Sequence, residues 1–237
     1  MQIKITARWK FFIKQLIKFI KKEDEILVIS GSITEVFILN KYGYKNITIT
    51  YYDENTKINI EQEFKKINFI KLDLSKNNFD IKKYNYVIIC NTLHHLDKPH
   101  QTILNLYDIA NKGLMIFEGN DSFVTRVLSK MNFMETFENS AIFKDGTGGL
   151  LNSNVANYIY RWTEREIVKL LYSYDPTHEN KLYFNYSYDL FNRAVQEKLS
   201  ILFKLFSPLL KVIAHIIFNI FPKQGNIMIS FIKKNIR

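Results

Sequence analysis

Short apolar runs and helically spaced apolar residues alternate along the first half of this chain. The runs at 25–29, 46–52 and 86–90 are rich in β-branched residues and are short enough to be buried strands. Residues 35–42 lie between the first two runs and have the apolar spacing of a helix. The alternation predicts βα units that assemble into a mostly parallel sheet.

The stretch 83–119 contains one complete βαβ unit. A strand is followed by a loop, by a helix that begins near Pro99, and by a second strand that opens at Gly113. Ligands of open α/β sheets bind beyond the carboxyl ends of the strands. The loop 91–95 and the residues 118–121 are therefore expected to carry the chemistry.

The region that follows this unit is predicted to be helical at both ends and irregular between them. A helix is expected at 122–131, and Thr163 with Glu166 fits a capping box at the start of another. Glycines cluster in the intervening loop, so we interpret 122–165 as a lid.

Two further predicted strands, 182–188 and 226–232, enclose a long apolar segment at 201–221. Two lysines, a histidine and Pro208 interrupt that segment, and charges at bilayer depth are costly. We therefore predict a helical hairpin or a bent helix, within an insertion at 190–222, rather than a transmembrane span. The sequence leaves open whether it lies on a membrane, forms a homodimer face or roofs the substrate pocket.

The segment 1–22 is predicted to be a basic amphipathic helix that precedes a single domain at 23–237. Four lysines repeat every four residues, and apolar residues lie opposite them: Trp9, Phe12, Ile13, Leu16, Phe19 and Ile20. Such a helix suits an anionic membrane interface. The alternative is a docking helix that covers the sheet or a cofactor pocket, and the two are compatible.

The net charge of +10 is carried by the chain ends. The ranges 1–22 and 191–237 together hold fifteen basic residues and one acid, whereas 23–190 holds eighteen basic residues and twenty-two acids. Only six of the 33 basic residues are arginine, the residue suited to bidentate phosphate contacts, so nucleic acid is an unlikely partner. The single cysteine, Cys90, lies in a predicted buried strand, and no signal peptide precedes it, which indicates a reducing, cytoplasmic location.

The motif NTLHHLD after one strand, with the acidic end of the next apolar strand, resembles the class I S-adenosylmethionine-dependent methyltransferases. The resemblance implies a Rossmann-like α/β sandwich, a mostly parallel seven-stranded sheet with a closing antiparallel strand, and S-adenosyl-L-methionine as cofactor. It implies that the adenine lies beside Asp73 and that the ribose is bound by Asp53 or Glu54. The full set expected around the cofactor is Ser30, Gly31, Ser32, Asp53, Glu54, Asp73, Leu74 and Asn91.

The loop SGSITE departs from this family, because serine and threonine stand at the usual glycine positions and only Gly31 remains. S-adenosylmethionine has no phosphate and needs only small residues there, so serine can suffice. The alternative is a catalytically inactive scaffold of the same fold at the membrane surface. A nucleotide-dependent dehydrogenase fits poorly, because the chain lacks GxGxxG and no tyrosine has a lysine four positions later.

His94 and His95 are the candidate catalytic residues, since a histidine near the transferred methyl group can accept the proton of a hydroxyl. Adjacent loop side chains usually point apart, so at most one of the two is expected to face the methyl group. Glu118 and Arg161 are expected to contact the acceptor. No metal site is predicted, because HHLDKPH lacks a recognised ligand spacing.

The acceptor is expected to be a hydroxyl group of a small molecule, a sugar or a lipid-linked saccharide. The segment NYIYRWT at 157–163 resembles a subset of bacterial methyltransferases of surface-glycan pathways, which favours polysaccharide biosynthesis. The protein is then expected in the cytoplasm, as a peripheral protein on an anionic membrane. Methylation of a small acid, a lipid or a quinone fits these residues about as well.

Overall fold

A computed structural model describes residues 5–29, 32–51, 54–64, 67–76, 79–142, 148–176, 179–189 and 201–235. The strands in these ranges are β1 (Ile26–Ile29), β2 (Ile47–Tyr51), β3 (Asn68–Lys71), β4 (Tyr84–Cys90), β5 (Ala110–Gly119), β6 (Phe137–Glu138), β7 (Asn157–Tyr158), β8 (Lys181–Ser187) and β9 (Ile227–Lys233). The helices are α1 (Ala7–Phe19), α2 (Ile33–Lys41), α3 (Glu54–Glu63), α4 (Pro99–Ile109), α5 (Phe123–Lys130), α6 (Glu164–Tyr174) and α7 (Ile201–Ile220).

Seven strands form one sheet in the order β3-β2-β1-β4-β5-β9-β8. The neighbours from β3 to β5 pair in parallel, whereas β9 is antiparallel to both β5 and β8. The predicted seven-stranded sheet with a closing antiparallel strand is confirmed. Because β1, β2 and β4 run the same way, the loops that follow them meet at one edge of the sheet.

Each face of the sheet is covered by helices, and the alternation of side chains along the strands supplies both cores. Ile26 and Val28 of β1 point to the face that α1, α2 and α3 cover. Leu27 and Ile29 point to the opposite face, which α4 and α6 cover. The central strands are buried on both faces, which explains why their sequences are continuously apolar.

The strand β5 begins earlier than the sequence predicted. Ala110 follows directly on the last residue of α4, is fully buried, and pairs with Tyr84 of β4 across a register shift. The glycine predicted to open the strand, Gly113, instead lies inside it opposite Tyr86. A β-carbon at Gly113 would stand 2.6 Å from the backbone oxygen of Ile232, so this position requires glycine for close packing rather than for a turn.

The segment predicted as a hairpin or bent helix is the single helix α7, which continues through Pro208. Ala214 and Phe218, four residues apart, are buried, and Tyr188 stacks on Phe218 with ring centroids 4.6 Å apart. The hairpin alternative is therefore wrong, because Ile201–Ile220 form one continuous helix. No helix in the described ranges is both long and apolar enough to cross a bilayer.

The apolar side of α1 docks on the sheet. Phe12 and Leu16 are fully buried, and Phe12 stacks on Phe117 of β5 with ring centroids 5.6 Å apart. Farther along, Phe19 stacks on Phe231 of β9 at 4.2 Å. The lysines of the opposite side, Lys10, Lys14 and Lys18, are exposed. The docking alternative thus accounts for the apolar stripe of this helix, while its basic side faces solvent.

Candidate functional site

The loop after β4 is held by a buried carboxylate from the neighbouring strand β5. Glu118 is only 1% exposed, and its Oε1 accepts hydrogen bonds from the backbone N–H groups of Thr92 (2.7 Å) and Leu93 (2.8 Å). Parallel neighbours end at the same edge of a sheet, which brings this strand-end acid to the loop. The short 3-10 turn Leu93–His95 is thereby fixed beside it.

The same carboxylate orients His94. Its Oε2 lies 2.8 Å from Nδ1 of His94, and the other ring nitrogen, Nε2, lies 3.3 Å from Oε2 of Glu138. Burial lowers the pKa of His94, but the charges and hydrogen bonds of Glu118 and Glu138 outweigh burial and raise it to about 9. In return, the hydrogen bond from His94 is the main cause that lowers the pKa of Glu138 to about 2. The imidazole therefore lies between two carboxylates.

Glu138 and Asn157 come from the two-stranded sheet β6-β7, and the sequence analysis identified neither as a site residue. Asn157 is buried, and its Nδ2 donates to the backbone oxygen of His94 (3.1 Å) and to Oε2 of Glu138 (3.3 Å). The predicted lid segment thus contacts the LHH turn. The signal that could have identified Asn157 is its place at the start of NYIYRWT, the motif already singled out.

His95 faces the same carboxylate as His94. Its Nε2 lies 3.6 Å from Oε2 of Glu138, and the two imidazole rings are 4.4 Å apart. Burial and the positive charge of His94 lower the pKa of His95. The expectation that adjacent side chains point apart is wrong here, because the tight turn and Glu138 hold both rings on one side.

A second polar group lies at the end of β4, on the side of the sheet that α1 covers. Arg8 of α1 donates a hydrogen bond from Nη2 to Oδ1 of Asn91, and its guanidinium carbon lies 5.0 Å from the centre of the Phe117 ring. The Nε of Arg8 is buried and has no hydrogen-bond partner among the described residues. Sequence reasoning counted this arginine only as one of the basic residues of 1–22.

The other residues predicted to bind cofactor are spread along the same edge. Ser32 caps α2, accepting from the N–H of Thr34 (3.2 Å), and its backbone N–H donates to Oε2 of the buried Glu35 (3.1 Å). Burial raises the pKa of Glu35. The predicted residues Ser30, Gly31 and Asp53 lie outside the described residues.

Two acids predicted to bind the cofactor, Glu54 and Asp73, are exposed, and Leu74 follows Asp73. Glu54 lies in the first turn of α3, with its Oε2 3.8 Å from Nζ of Lys57. Hydrogen bonds from Ser75 lower the pKa of Asp73, whose Oδ1 accepts from the Ser75 backbone at 3.0 Å. Leu74 is buried beside it. Asp73 is exposed at this edge of the sheet, and Leu74, which packs in the core that α4 covers, is the apolar residue beside it.

Arg161 makes local contacts. Its Nη2 donates to the backbone oxygen of Glu135 at 2.7 Å, and its side chain packs against Gly119, where an added β-carbon would stand 3.2 Å from its Cγ. Burial lowers its pKa. The side chain thus links Glu135, inside the predicted lid segment, to Gly119 at the end of β5.

The predicted capping box of α6 is only half formed. Thr163 accepts a hydrogen bond from the N–H of Glu166 (3.1 Å), as predicted. The carboxylate of Glu166 does not return to the cap, because it accepts from Tyr160 and lies 2.9 Å from Nε2 of His100 instead. Tyr160 and His100 compete with the cap backbone for the Glu166 carboxylate, and they lie outside the four-residue motif. The motif alone therefore could not reveal this competition.

Comparisons with solved structures identify the fold. The magnesium protoporphyrin IX methyltransferase ChlM of Synechocystis PCC 6803, crystallised with bound SAH, superimposes with a TM-score of 0.56 at 12% identity, over 99% of this chain and 90% of that chain. A S-adenosylmethionine-dependent methyltransferase from Mesorhizobium loti gives 0.58 at 8% identity, over 97% and 98%. The plantazolicin methyltransferase BpumL, in complex with SAH, gives 0.54 at 16% identity, over 97% and 82%.

No protein-family model and no curated protein matches the chain by sequence. The similarity is therefore one of fold, at identities too low to carry over substrates or site residues. The fold class predicted from the NTLHHLD motif and its flanking strands is confirmed.

Proposed function

We propose that this protein is an S-adenosyl-L-methionine-dependent methyltransferase that acts on a hydroxyl group. The observation that carries the proposal is the cluster of His94, His95, Glu118 and Glu138 at the carboxyl ends of β4 and β5, in a fold shared with methyltransferases. Fold alone does not fix function, so the argument rests on the polar groups at this edge.

The residues that follow β3 and β4, together with Arg8 of α1, are suited to the cofactor. The buried Nε of Arg8, which has no hydrogen-bond partner in the described part of the chain, is a cationic donor suited to a carboxylate, and Asn91 beside it offers an amide. Leu74 supplies an apolar wall and Asp73 a hydrogen-bond acceptor, as an adenine ring requires. Asp53 or Glu54 remains the proposed ligand of the ribose. When bound, S-adenosyl-L-methionine supplies a strongly electrophilic methyl group.

The protein then has to place a hydroxyl oxygen in line with that methyl group and exclude water. His95 is the more exposed imidazole, with 30% of its side chain accessible against 12% for His94, so it meets the acceptor first. Glu118 is fully used by Thr92, Leu93 and His94, and we assign it to positioning rather than to acceptor binding. Glu138 and Asn157 hold the opposite side of the cluster.

Arg8→Ala is expected to weaken the binding of S-adenosylhomocysteine by about 10- to 100-fold, because a hydrogen bond to a charged group is worth about 1.5–3 kcal/mol. Calorimetric titration of the purified protein measures this affinity. Lys10→Ala is the matched control, since Lys10 is an exposed cation on the same helix, and its affinity should equal that of the wild type. Unchanged affinity in the Arg8 variant would contradict this assignment, and no binding by the folded wild type would favour the inactive scaffold.

The acceptor we propose is a sugar or lipid-linked saccharide reached at an anionic membrane surface. The support is the exposed apolar side of α7, which turns away from the buried Ala214 and Phe218. It comprises Leu209, Val212, Ile213, Ile216, Ile217 and Ile220. Incubation with methyl-labelled S-adenosylmethionine and fractionated cell extract tests the acceptor, since label should enter the lipid-linked saccharide fraction rather than the soluble small molecules.

The variant Ile216→Asp/Ile220→Asp is expected to bind anionic phospholipid vesicles more than about tenfold more weakly, because burying each isoleucine contributes about 1.5–3 kcal/mol. Co-sedimentation with vesicles measures this. Val155→Asp changes a residue of similar exposure in another part of the chain and should leave binding unaltered. If the wild type fails to sediment with vesicles and instead forms a dimer that the double variant dissociates, the helix is a homodimer face.

A further inference from the structure

We propose that His94, His95 and Glu138 form a binding site for a divalent transition-metal cation, with Zn²⁺ as the best fit. The three side chains each offer one ligand atom, and these atoms lie within 4.8 Å of one another. The spacing of HHLDKPH gave no sign of this site, since Glu138, the third side chain, is contributed by β6, far from the two histidines along the chain.

Two of the three distances between the ligand atoms are those of a coordination sphere. Zn²⁺ binds nitrogen and oxygen ligands at about 2.0–2.2 Å, so adjacent tetrahedral ligand atoms stand roughly 3.3–3.5 Å apart. Oε2 of Glu138 lies 3.3 Å from Nε2 of His94 and 3.6 Å from Nε2 of His95. The third pair, the two histidine nitrogens, lies within 4.8 Å, so a cation bound by Glu138 can reach both imidazoles if their rings turn toward it.

The surroundings of the three ligands are also those of a metal site. A ligating histidine usually donates its other ring N–H to a carboxylate, which fixes the tautomer and directs the free nitrogen to the metal. Glu118 occupies that position behind His94, at 2.8 Å from Nδ1, and is itself held by the N–H groups of Thr92 and Leu93. Asn157 donates to the ligating oxygen of Glu138 and so orients the third ligand.

Charge and access agree with this assignment. Two carboxylates and two neutral imidazoles balance one divalent cation, and imidazole nitrogen favours zinc-like ions over Mg²⁺. The side chains of His95 and Glu138 are 30% and 29% exposed, which leaves an entry path and an open coordination position. Three protein ligands with one open position are typical of catalytic rather than structural zinc sites.

The consequence for methyl transfer rests on the proposed function, whereas binding of the metal does not. A cation here would coordinate the acceptor hydroxyl oxygen at the open position and lower the pKa of that hydroxyl group. The two histidines would then act as ligands, and the hydroxyl proton would leave through the exposed side of the cluster to water.

Titration of the metal-free, full-length protein with Co²⁺ tests the inference directly, because tetrahedral Co²⁺ absorbs visible light and Zn²⁺ should displace it. We expect one equivalent to bind with a visible ligand-field band. Glu138→Gln and His95→Asn should abolish that band, and Glu118→Gln should weaken Co²⁺ binding by about 10- to 100-fold, as expected for a residue that orients a ligand. Zn²⁺ should also raise the melting temperature of the wild type.

His100→Asn is the matched control. His100 also contacts a carboxylate, that of Glu166 at 2.9 Å, but belongs to no group of three potential ligands in the described ranges. Its variant should bind Co²⁺ like the wild type. Absence of the band in the wild type, or a band that survives in both Glu138→Gln and His95→Asn, would overturn the inference. Binding of S-adenosylhomocysteine, measured on the same samples, shows that the variants are folded and reports separately on the proposed function.

Discussion

Glu118→Gln is expected to lower methyl transfer by about 10²- to 10⁴-fold while the protein remains folded. The amide oxygen of glutamine can still accept from the N–H groups of Thr92 and Leu93, so the turn keeps its two backbone hydrogen bonds. The amide NH₂ group then faces Nδ1 of His94 and must donate to it. In the neutral imidazole, the single proton then lies on Nε2, and the nitrogen whose lone pair should face the cluster becomes a donor.

The magnitude follows from what a tautomer change costs a catalytic histidine. In serine proteases, exchanging the orienting carboxylate for an amide lowers kcat by about 10⁴ although the geometry is preserved. The stability cost should be smaller, about 1–3 kcal/mol, because one charge-assisted hydrogen bond to a buried group is replaced by a neutral one. Release of S-adenosylhomocysteine in the presence of the acceptor fraction measures the rate, and urea denaturation measures the free energy of unfolding.

The nitrogen chemical shifts of His94 distinguish this positioning role from a merely structural one. Above the His94 pKa of about 9, where the ring carries one proton, that proton should lie on Nδ1 in the wild type, because Glu118 accepts it, and on Nε2 in the variant. Glu25→Gln is the control, since Glu25 is an exposed strand-start acid whose partner is Lys82 at 3.2 Å, and surface pairs contribute about 0–1 kcal/mol. A variant with the wild-type rate, or with an unchanged His94 tautomer, would contradict the role of Glu118.

The sheet and its binding edge could be predicted from the sequence because both depend on local patterns. A strand buried on both faces has to be continuously apolar; β1 consists of such a run, and β4 contains one at 86–90. Once parallel pairing is inferred, the loops that follow those strands are forced to one edge, which placed His94, Asn91 and Glu118 together before any contact was known.

Glu138 and Asn157 could not be predicted in the same way. They lie on strands of two residues each, which are too short to show a hydrophobic period. They contact His94 only because the segment 122–165 folds back onto the LHH turn. The interaction that unites the site is long-range. Because a metal-ligand search by spacing needs its ligands near one another in sequence, it could not identify Glu138, the third side chain of the proposed site, more than forty residues away.

Arg8 was missed for a different reason, since its signal is local and was present. Arg8, Phe12 and Leu16 are spaced by four and lie on one face of α1, so the arginine belongs to the apolar stripe and not to the lysine side. A cation on the buried stripe of a helix indicates a polar partner beneath it. In the structure that partner is Asn91, at the end of β4.

Phe12→Ala is expected to destabilise the protein by about 3–5 kcal/mol and also to weaken binding of S-adenosylhomocysteine. The ring is fully buried, stacks on Phe117 at 5.6 Å and meets the edge of Trp9 at the same distance. Truncating a buried phenylalanine to alanine loses its burial and leaves a cavity, which together cost this much. Because α1 would then pack loosely, Arg8, one turn earlier, would lose its fixed place over Phe117.

Urea denaturation with calorimetric titration tests both parts and decides what α1 does. Ile17→Ala is the control on the same helix, because Ile17 is 56% exposed and its truncation should change the free energy of unfolding by no more than about 0.5 kcal/mol. If Phe12→Ala costs less than about 1 kcal/mol, the helix does not depend on the sheet and its apolar stripe is free for a membrane. If Phe12→Ala lowers the free energy of unfolding by several kcal/mol and also weakens S-adenosylhomocysteine binding, the helix serves the cofactor pocket. Its exposed lysines can still meet an anionic surface while its apolar side stays docked.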